Sequence, residues 1–205
     1  MKLFVLLFVM ILLVGCSKSE QNEEVEVKPS KQEKIITMLE SIENYEAEVI
    51  VTYFSNKNIN KYQMLQQVKK GVGYRIVVTT PESVAGNITI SDASGVVQIN
   101  TRLNLRFEQA AGQNEERSSI ILTNFAEEFL SSSEQQIENM GNITILTIDR
   151  VHTNPYMANF ALWLDSETLT PLRLNTYDIE GELRIEVIYQ NIAINIDDTN
   201  WGLQS

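Results

Sequence analysis

The most restrictive feature of this sequence is a change of period at Tyr45. Ahead of it, Ile35, Met38, Leu39 and Ile42 fall at helical spacing with Glu and Lys on the other face, which predicts a helix over 32–44. From Tyr45 the period drops to two: Ala47, Val49, Val51 and Tyr53 alternate with Glu46, Glu48 and Thr52. Alternate side chains of a strand point to opposite faces, so this pattern predicts a half-buried strand. It recurs through Tyr62, Met64, Gln66 and Val68, then Tyr74, Ile76 and Val78, then over 87–91, 96–100 and 102–107. The breaks carry turn chemistry: Ser55-Asn56-Lys57-Asn58, Lys69-Lys70-Gly71-Val72-Gly73, Asp92-Ala93-Ser94-Gly95 and a tight link at Thr101. Pro81 ends the third strand because it lacks the ladder N–H. Short strands so spaced suit an antiparallel sheet or partly open barrel and exclude alternating βαβ units.

The second half repeats the plan. Over 118–131 the spacing is helical again, with Ile121, Leu122, Phe125 and Phe129 in one stripe and Glu127-Glu128 outward; Ser118 or Ser119 is placed to cap it. A polar stretch over 131–142, with room for a helical turn, leads to strands at 143–149, 159–165, 170–177 and 182–189. Asp165-Ser166-Glu167-Thr168 and Ile179-Glu180-Gly181 are the hairpin turns between them. Ile192, Ile194 and Ile196 form a last short strand, and Trp201 folds back onto the body. The class is therefore α+β. Gly-Asn-Ile-Thr-Ile occurs at 86–90 and 141–145, but nothing else recurs at that interval, so it is turn-to-strand chemistry rather than a repeat.

The amino terminus is a separate problem. Met1-Lys2 is followed by an apolar run from Leu3 to Val14 that closes in Leu13-Val14-Gly15-Cys16. The run is short against the roughly 20 residues that span a hydrocarbon core of about 30 Å. A positive start, a short apolar core and small residues before a cut site describe an export signal. The tetrad resembles the bacterial lipobox, cleaved before a cysteine that receives a diacylglyceryl group and, at its new amino terminus, an acyl chain. The competing reading is an ordinary exported protein with a stray thiol. On the lipobox reading, 1–15 is the signal peptide, 16–31 is lipidated Cys16 with a polar tether, and 32–205 is one folded domain. The protein is then held by lipid on the outer face of a bacterial membrane, without any other cofactor.

Cys16 is the only cysteine, so no disulfide framework exists and the domain stands on its core. A hydrophobic fraction of 43% is globular. The net charge of −11 argues against nucleic acid and against electrostatic binding to an anionic membrane, both of which need clustered Lys and Arg. Two or more acyl chains supply an anchoring strength that one chain does not.

Catalytic and metal chemistry find little here. His152, the only histidine, lies in Arg150-Val151-His152-Thr153-Asn154-Pro155 with no nucleophile, orienter or ligand set at a recognisable spacing. Glu115-Glu116 and Glu127-Glu128 are adjacent pairs that do not share a helix face. Gly71-Val72-Gly73 joins strands and precedes no helix, so it is no phosphate loop. No metal-binding motif appears.

A family resemblance rests on Tyr62-Gln63-Met64, Lys69-Lys70, Tyr74-Arg75-Ile76, Ile88-Thr89-Ile90-Ser91-Asp92, Gln98-Ile99-Asn100 and Asn124-Phe125. The second half adds Leu162-Trp163-Leu164-Asp165, Thr168-Leu169-Thr170-Pro171-Leu172 and Tyr177-Asp178-Ile179-Glu180-Gly181. With the order of elements, these resemble the LolA/LolB-like superfamily, and within it the GerS-like germination lipoproteins of clostridial spore formers. The resemblance implies a strongly curved, incompletely closed antiparallel sheet, a half-barrel of about eleven strands with helices covering its concave side. It also implies a non-enzymatic, membrane-anchored scaffold that supports spore germination and cortex peptidoglycan modification through a protein partner, a cell-wall amidase. The alternative is a lipid- or lipoprotein-binding carrier that holds acyl chains in the hollow. Tyr53, Met64, Phe107, Phe125, Phe129, Phe160 and Trp163 either line such a cavity or fill it, and apolar alternation serves both.

Overall fold

Ser30 starts the first helix by a reciprocal cap. Its hydroxyl accepts the Glu33 N–H at 3.2 Å, and the Glu33 carboxylate accepts the Ser30 N–H at 2.6 Å. The computed structural model describes residues 29–110, 119–149 and 154–197. The signal segment, Cys16, nearly all of the tether, Glu115-Glu116, Ser118, His152 and Trp201 lie outside those residues.

Helix α1 spans Lys31–Glu40 and ends earlier than its periodicity predicts. Ser41 closes it by donating its N–H to the Thr37 carbonyl, and Asn44 already belongs to strand β1 (Asn44–Phe54). Strands β2 (Ile59–Lys69), β3 (Gly73–Thr80), β4 (Ile88–Asp92), β5 (Gly95–Asn100) and β6 (Leu105–Ala110) follow. Helix α2 (Leu122–Ser131) then leads to β7 (Gln135–Met140), β8 (Ile143–Asp149), β9 (Asn159–Asp165), β10 (Pro171–Tyr177) and β11 (Leu183–Ile194), with a 3-10 turn at Pro155–Met157.

All the strands join one antiparallel sheet in the order β6-β5-β4-β3-β2-β1-β11-β10-β9-β8-β7. It consists of two meanders joined where the first strand pairs with the last, for example Val51 opposite Val187. Among the described residues the sheet is open, with β6 and β7 at its two edges.

Three details differ from the sequence reading. The link after β5 is a turn over 101–104 rather than a step at Thr101, so β6 begins at Leu105. There Asn100 Oδ1 accepts the Leu103 N–H at 2.9 Å and Asn104 takes a φ of +50°. The polar stretch after α2 contains strand β7 and no helical turn; as an exposed edge it needs no apolar alternation. The last two predicted strands are a single one. Opposite Glu48 and Val49, β11 bulges at Gln190, which moves its inward residues from Ile185, Val187 and Tyr189 to Ile192 and Ile194. A bulge shifts the phase of alternation, and the pattern then reads as a break.

One core lies on one face of the sheet. It takes Ile35 and Leu39 from α1, Phe125 and Phe129 from α2, and inward residues such as Val49, Ile76, Leu146, Leu162 and Val187 from the strands. Each aliphatic side chain fully buried there contributes about 1.5–3 kcal/mol.

Candidate functional site

The seven aromatic and apolar residues singled out by sequence divide into three groups. Phe125, Phe129 and Phe160 are buried in the core, with the Phe125 and Phe129 rings stacked at 5.8 Å. Trp163 faces the other way: Leu162 and Leu164 on either side of it are fully buried, and the Arg173 guanidinium lies 5.8 Å from its ring centroid. The strand period places it on the face opposite the core, where it is half-buried.

Tyr53, Met64 and Phe107 do line open space. With Ile76, Val78 and Ile99 they bound a groove of about 340 Å³ on the half of the sheet ending in β6. Phe107 is 56% exposed, and its β6 neighbour Leu105 is exposed as well. Asn87, Thr89 and Gln98 give the groove a polar side.

Beneath the groove is a buried polar network that no spacing in the sequence announces. The Tyr45 hydroxyl donates to Gln66 Oε1 at 2.9 Å, and Gln66 Nε2 donates to the Ile120 carbonyl at 3.1 Å. Ile120 itself lines the groove. Burial pushes the Tyr45 hydroxyl well above its ordinary pKa, outweighing the lowering effect of the Leu122 N–H. The Tyr189 hydroxyl is likewise raised by burial and by Tyr45. Both are neutral phenols, unfitted to act as bases near neutral pH.

Tyr53 and Tyr62 meet edge to face, with ring centroids 6.0 Å apart, and both also border a second, larger cleft of about 920 Å³. Its walls are the β1–β2 turn, carrying Asn56, Lys57 and Asn58, and the segment carrying Asn154 and Tyr156. Sequence reading treats Ser55-Asn56-Lys57-Asn58 only as a turn, and the cleft exists because β11 and the 3-10 turn face that turn. Arg184 sits on the wall, donating from Nε to Asp178 Oδ2 at 2.6 Å and from Nη1 to Asn56 Oδ1 at 3.1 Å. Burial pushes the Asp178 carboxyl up. The Glu182 N–H, Arg184 and the Glu180 N–H outweigh that and hold it below the ordinary carboxylate range.

Among the described residues, no group of three or more His, Cys, Asp or Glu side chains is placed to hold a metal. Nor is any helix among them long and apolar enough to cross a membrane. Glu127 is exposed and Glu128 half-buried on α2.

The fold is similar to that of an uncharacterized conserved protein from Thermus thermophilus, with a TM-score of 0.54 and 12% identity over 85% of this chain and 93% of that one. A chain in the structure of the CwlD amidase from Clostridioides difficile in complex with the GerS lipoprotein matches with a TM-score of 0.46 and 16% identity, over 84% and 96%. A LolA superfamily protein from Nitrosomonas europaea matches with a TM-score of 0.43 and 11% identity, over 82% and 95%. No curated protein matches the sequence. The family is given by the sequence itself: the model of the sporulation protein YdcC-like family matches residues 1–200, and the chain belongs to that family.

Proposed function

We propose that this sporulation protein is a non-enzymatic lipoprotein, anchored through Cys16 to the outer face of a membrane, that docks a protein partner. The sheet curves around α1 and α2 as a half-barrel, and the tether over 16–31 lets it stand off the membrane. The partner is a cell-wall amidase, as the resemblance to germination lipoproteins implies. The observation that carries the reading is the terminal strand β6, which pairs only with β5 among the described strands and whose Leu105 and Phe107 are exposed beside the groove. A strand with an open edge and an apolar pocket alongside suits strand addition, in which main-chain bonds give affinity and pockets give specificity.

The groove supports a second reading, an acyl-lipid carrier. Its volume of about 340 Å³ falls within the range of small-molecule sites, about 300–1,000 Å³. One pair of experiments separates the two. Crosslinking of the full chain in sporulating cells should capture a cell-wall amidase, and repeated capture of none counts against docking. Native mass spectrometry should show no acyl species beyond the anchor, whereas stoichiometric bound lipid supports the carrier.

A further inference from the structure

The larger cleft is built for a different ligand from the groove. Its two walls are held rigidly. On one, the Ser55 hydroxyl donates to the Asn58 carbonyl at 2.9 Å and accepts the Asn58 N–H at 3.0 Å. On the other, Asn154 Oδ1 accepts the Tyr156 N–H at 3.0 Å, and the Ile179 N–H reaches the Pro155 carbonyl at 2.8 Å. Tyr156 is nevertheless 71% exposed, so a large ring stands in water on a fixed loop. Asn58 and Asn60 are exposed, and their side-chain amides meet no partner among the described residues.

We infer that this cleft binds a neutral oligosaccharide, with Tyr156 stacking on a sugar face and Asn58 and Asn60 bonding to its hydroxyl or acetamido groups. Aromatic rings supply a flat apolar face with a polar tip, and amides both donate and accept, which is the pairing a polyhydroxylated ring requires. An acyl chain fits poorly, since it would bury the amides of Asn58 and Asn60 without partners. An anionic ligand also fits poorly. Of the two cations among its described lining residues, Arg184 is already engaged by Asp178 and by Asn56, which leaves only Lys57 on the exposed turn, and the chain as a whole is acidic at −11. Walls fixed before binding reduce the entropy that binding costs.

The test uses the full chain and the N-acetylglucosamine tetramer as probe, read by saturation-transfer NMR and calorimetry. Saturable binding is expected at millimolar glycan or below. Tyr156→Ala and Asn58→Ala should each weaken it about tenfold with the thermal midpoint unchanged. Phe107→Lys, on the other groove, should leave it unchanged. Absence of saturable binding at millimolar glycan overturns the inference, and so does binding that neither cleft substitution affects.

Discussion

The Tyr45 hydroxyl oxygen accepts the backbone N–H of Leu122 at 3.1 Å, 77 positions along the chain. The residue at the N-cap of helix α2 is Ile121, which offers no side-chain acceptor, so a tyrosine from β1 takes the place of the cap. That corrects the expectation of a serine cap at 118 or 119. Tyr45→Phe keeps the ring in the core but strands both the Leu122 N–H and Gln66 Oε1 in a buried setting. We expect a loss of about 3 kcal/mol, read as a lower urea midpoint at unchanged slope. An unchanged midpoint would show that water or a rearranged Gln66 satisfies both groups.

Acid sensitivity follows from Asp178. Its carboxyl is held below its ordinary range once folded, despite burial, by the Glu182 N–H, Arg184 and the Glu180 N–H. A group with a depressed folded pKa stabilises above its unfolded value, about 3.9, and that contribution is lost as pH falls through the folded value. Asp178→Asn should therefore lower the thermal midpoint at neutral pH, and the gap from wild type should narrow below about pH 4. A gap that stays constant down to the acid limit would place the effect in packing rather than charge. Asp165, lowered by the Thr168 backbone and side chain and the Glu167 N–H, keeps part of the acid dependence in the variant.

The sheet was legible wherever one face is buried and the other wet. Ala47 and Val49, or Leu146 and Ile148, alternate with exposed or half-buried neighbours because burial imposes a period of two. It was illegible where that cause is missing. β7 is an edge with both faces largely exposed, so Gln135 to Met140 carry no pattern, and the bulge at Gln190 breaks the phase of a strand that is continuous. The site was legible only as a list of apolar residues. Parity separates Trp163 from Phe160 in principle, but which residues meet open space depends on what the helices cover, as Phe125 and Phe107 show. Tyr156 and Asn58 lie far apart in the chain, and only the long-range pairing of β1 with β11 brings their loops to one cleft.

Gly73 is a position that admits no side chain. It sits at a φ of +150° where β3 pairs with β4 opposite Asp92, and a Cβ there would run into the Ser91 carbonyl. Gly71, two residues earlier at +69°, has open space around it. Gly73→Ala should cost about 3 kcal/mol or more, since the clash is with backbone that the sheet holds in place. Gly71→Ala should cost only about 1–2 kcal/mol, the left-handed backbone term alone. Chemical denaturation of both variants checks the contrast, and equal losses would mean that β4 yields.

The anchor is tested by Cys16→Ser, which removes the sulfur that would carry lipid. If the protein is held by acyl chains, the variant should leave the membrane fraction, since the net charge of −11 gives the body no electrostatic hold. Fractionation of cells with immunoblotting reads the outcome. A variant that remains with the membrane shows that some other segment or partner holds it.

Docking at the edge strand is tested by Phe107→Lys. Phe107 lies opposite Gln98 of β5 and is 56% exposed, so the substitution should change stability by no more than about 0.5 kcal/mol. Lysine on an open edge opposes the addition of another strand and removes the apolar contact beside the groove. The expected result is loss of amidase crosslinking with an unchanged thermal midpoint and unchanged membrane association. Crosslinking that survives the substitution would rule out β6 as the docking edge, because the substitution leaves no other part of the surface changed.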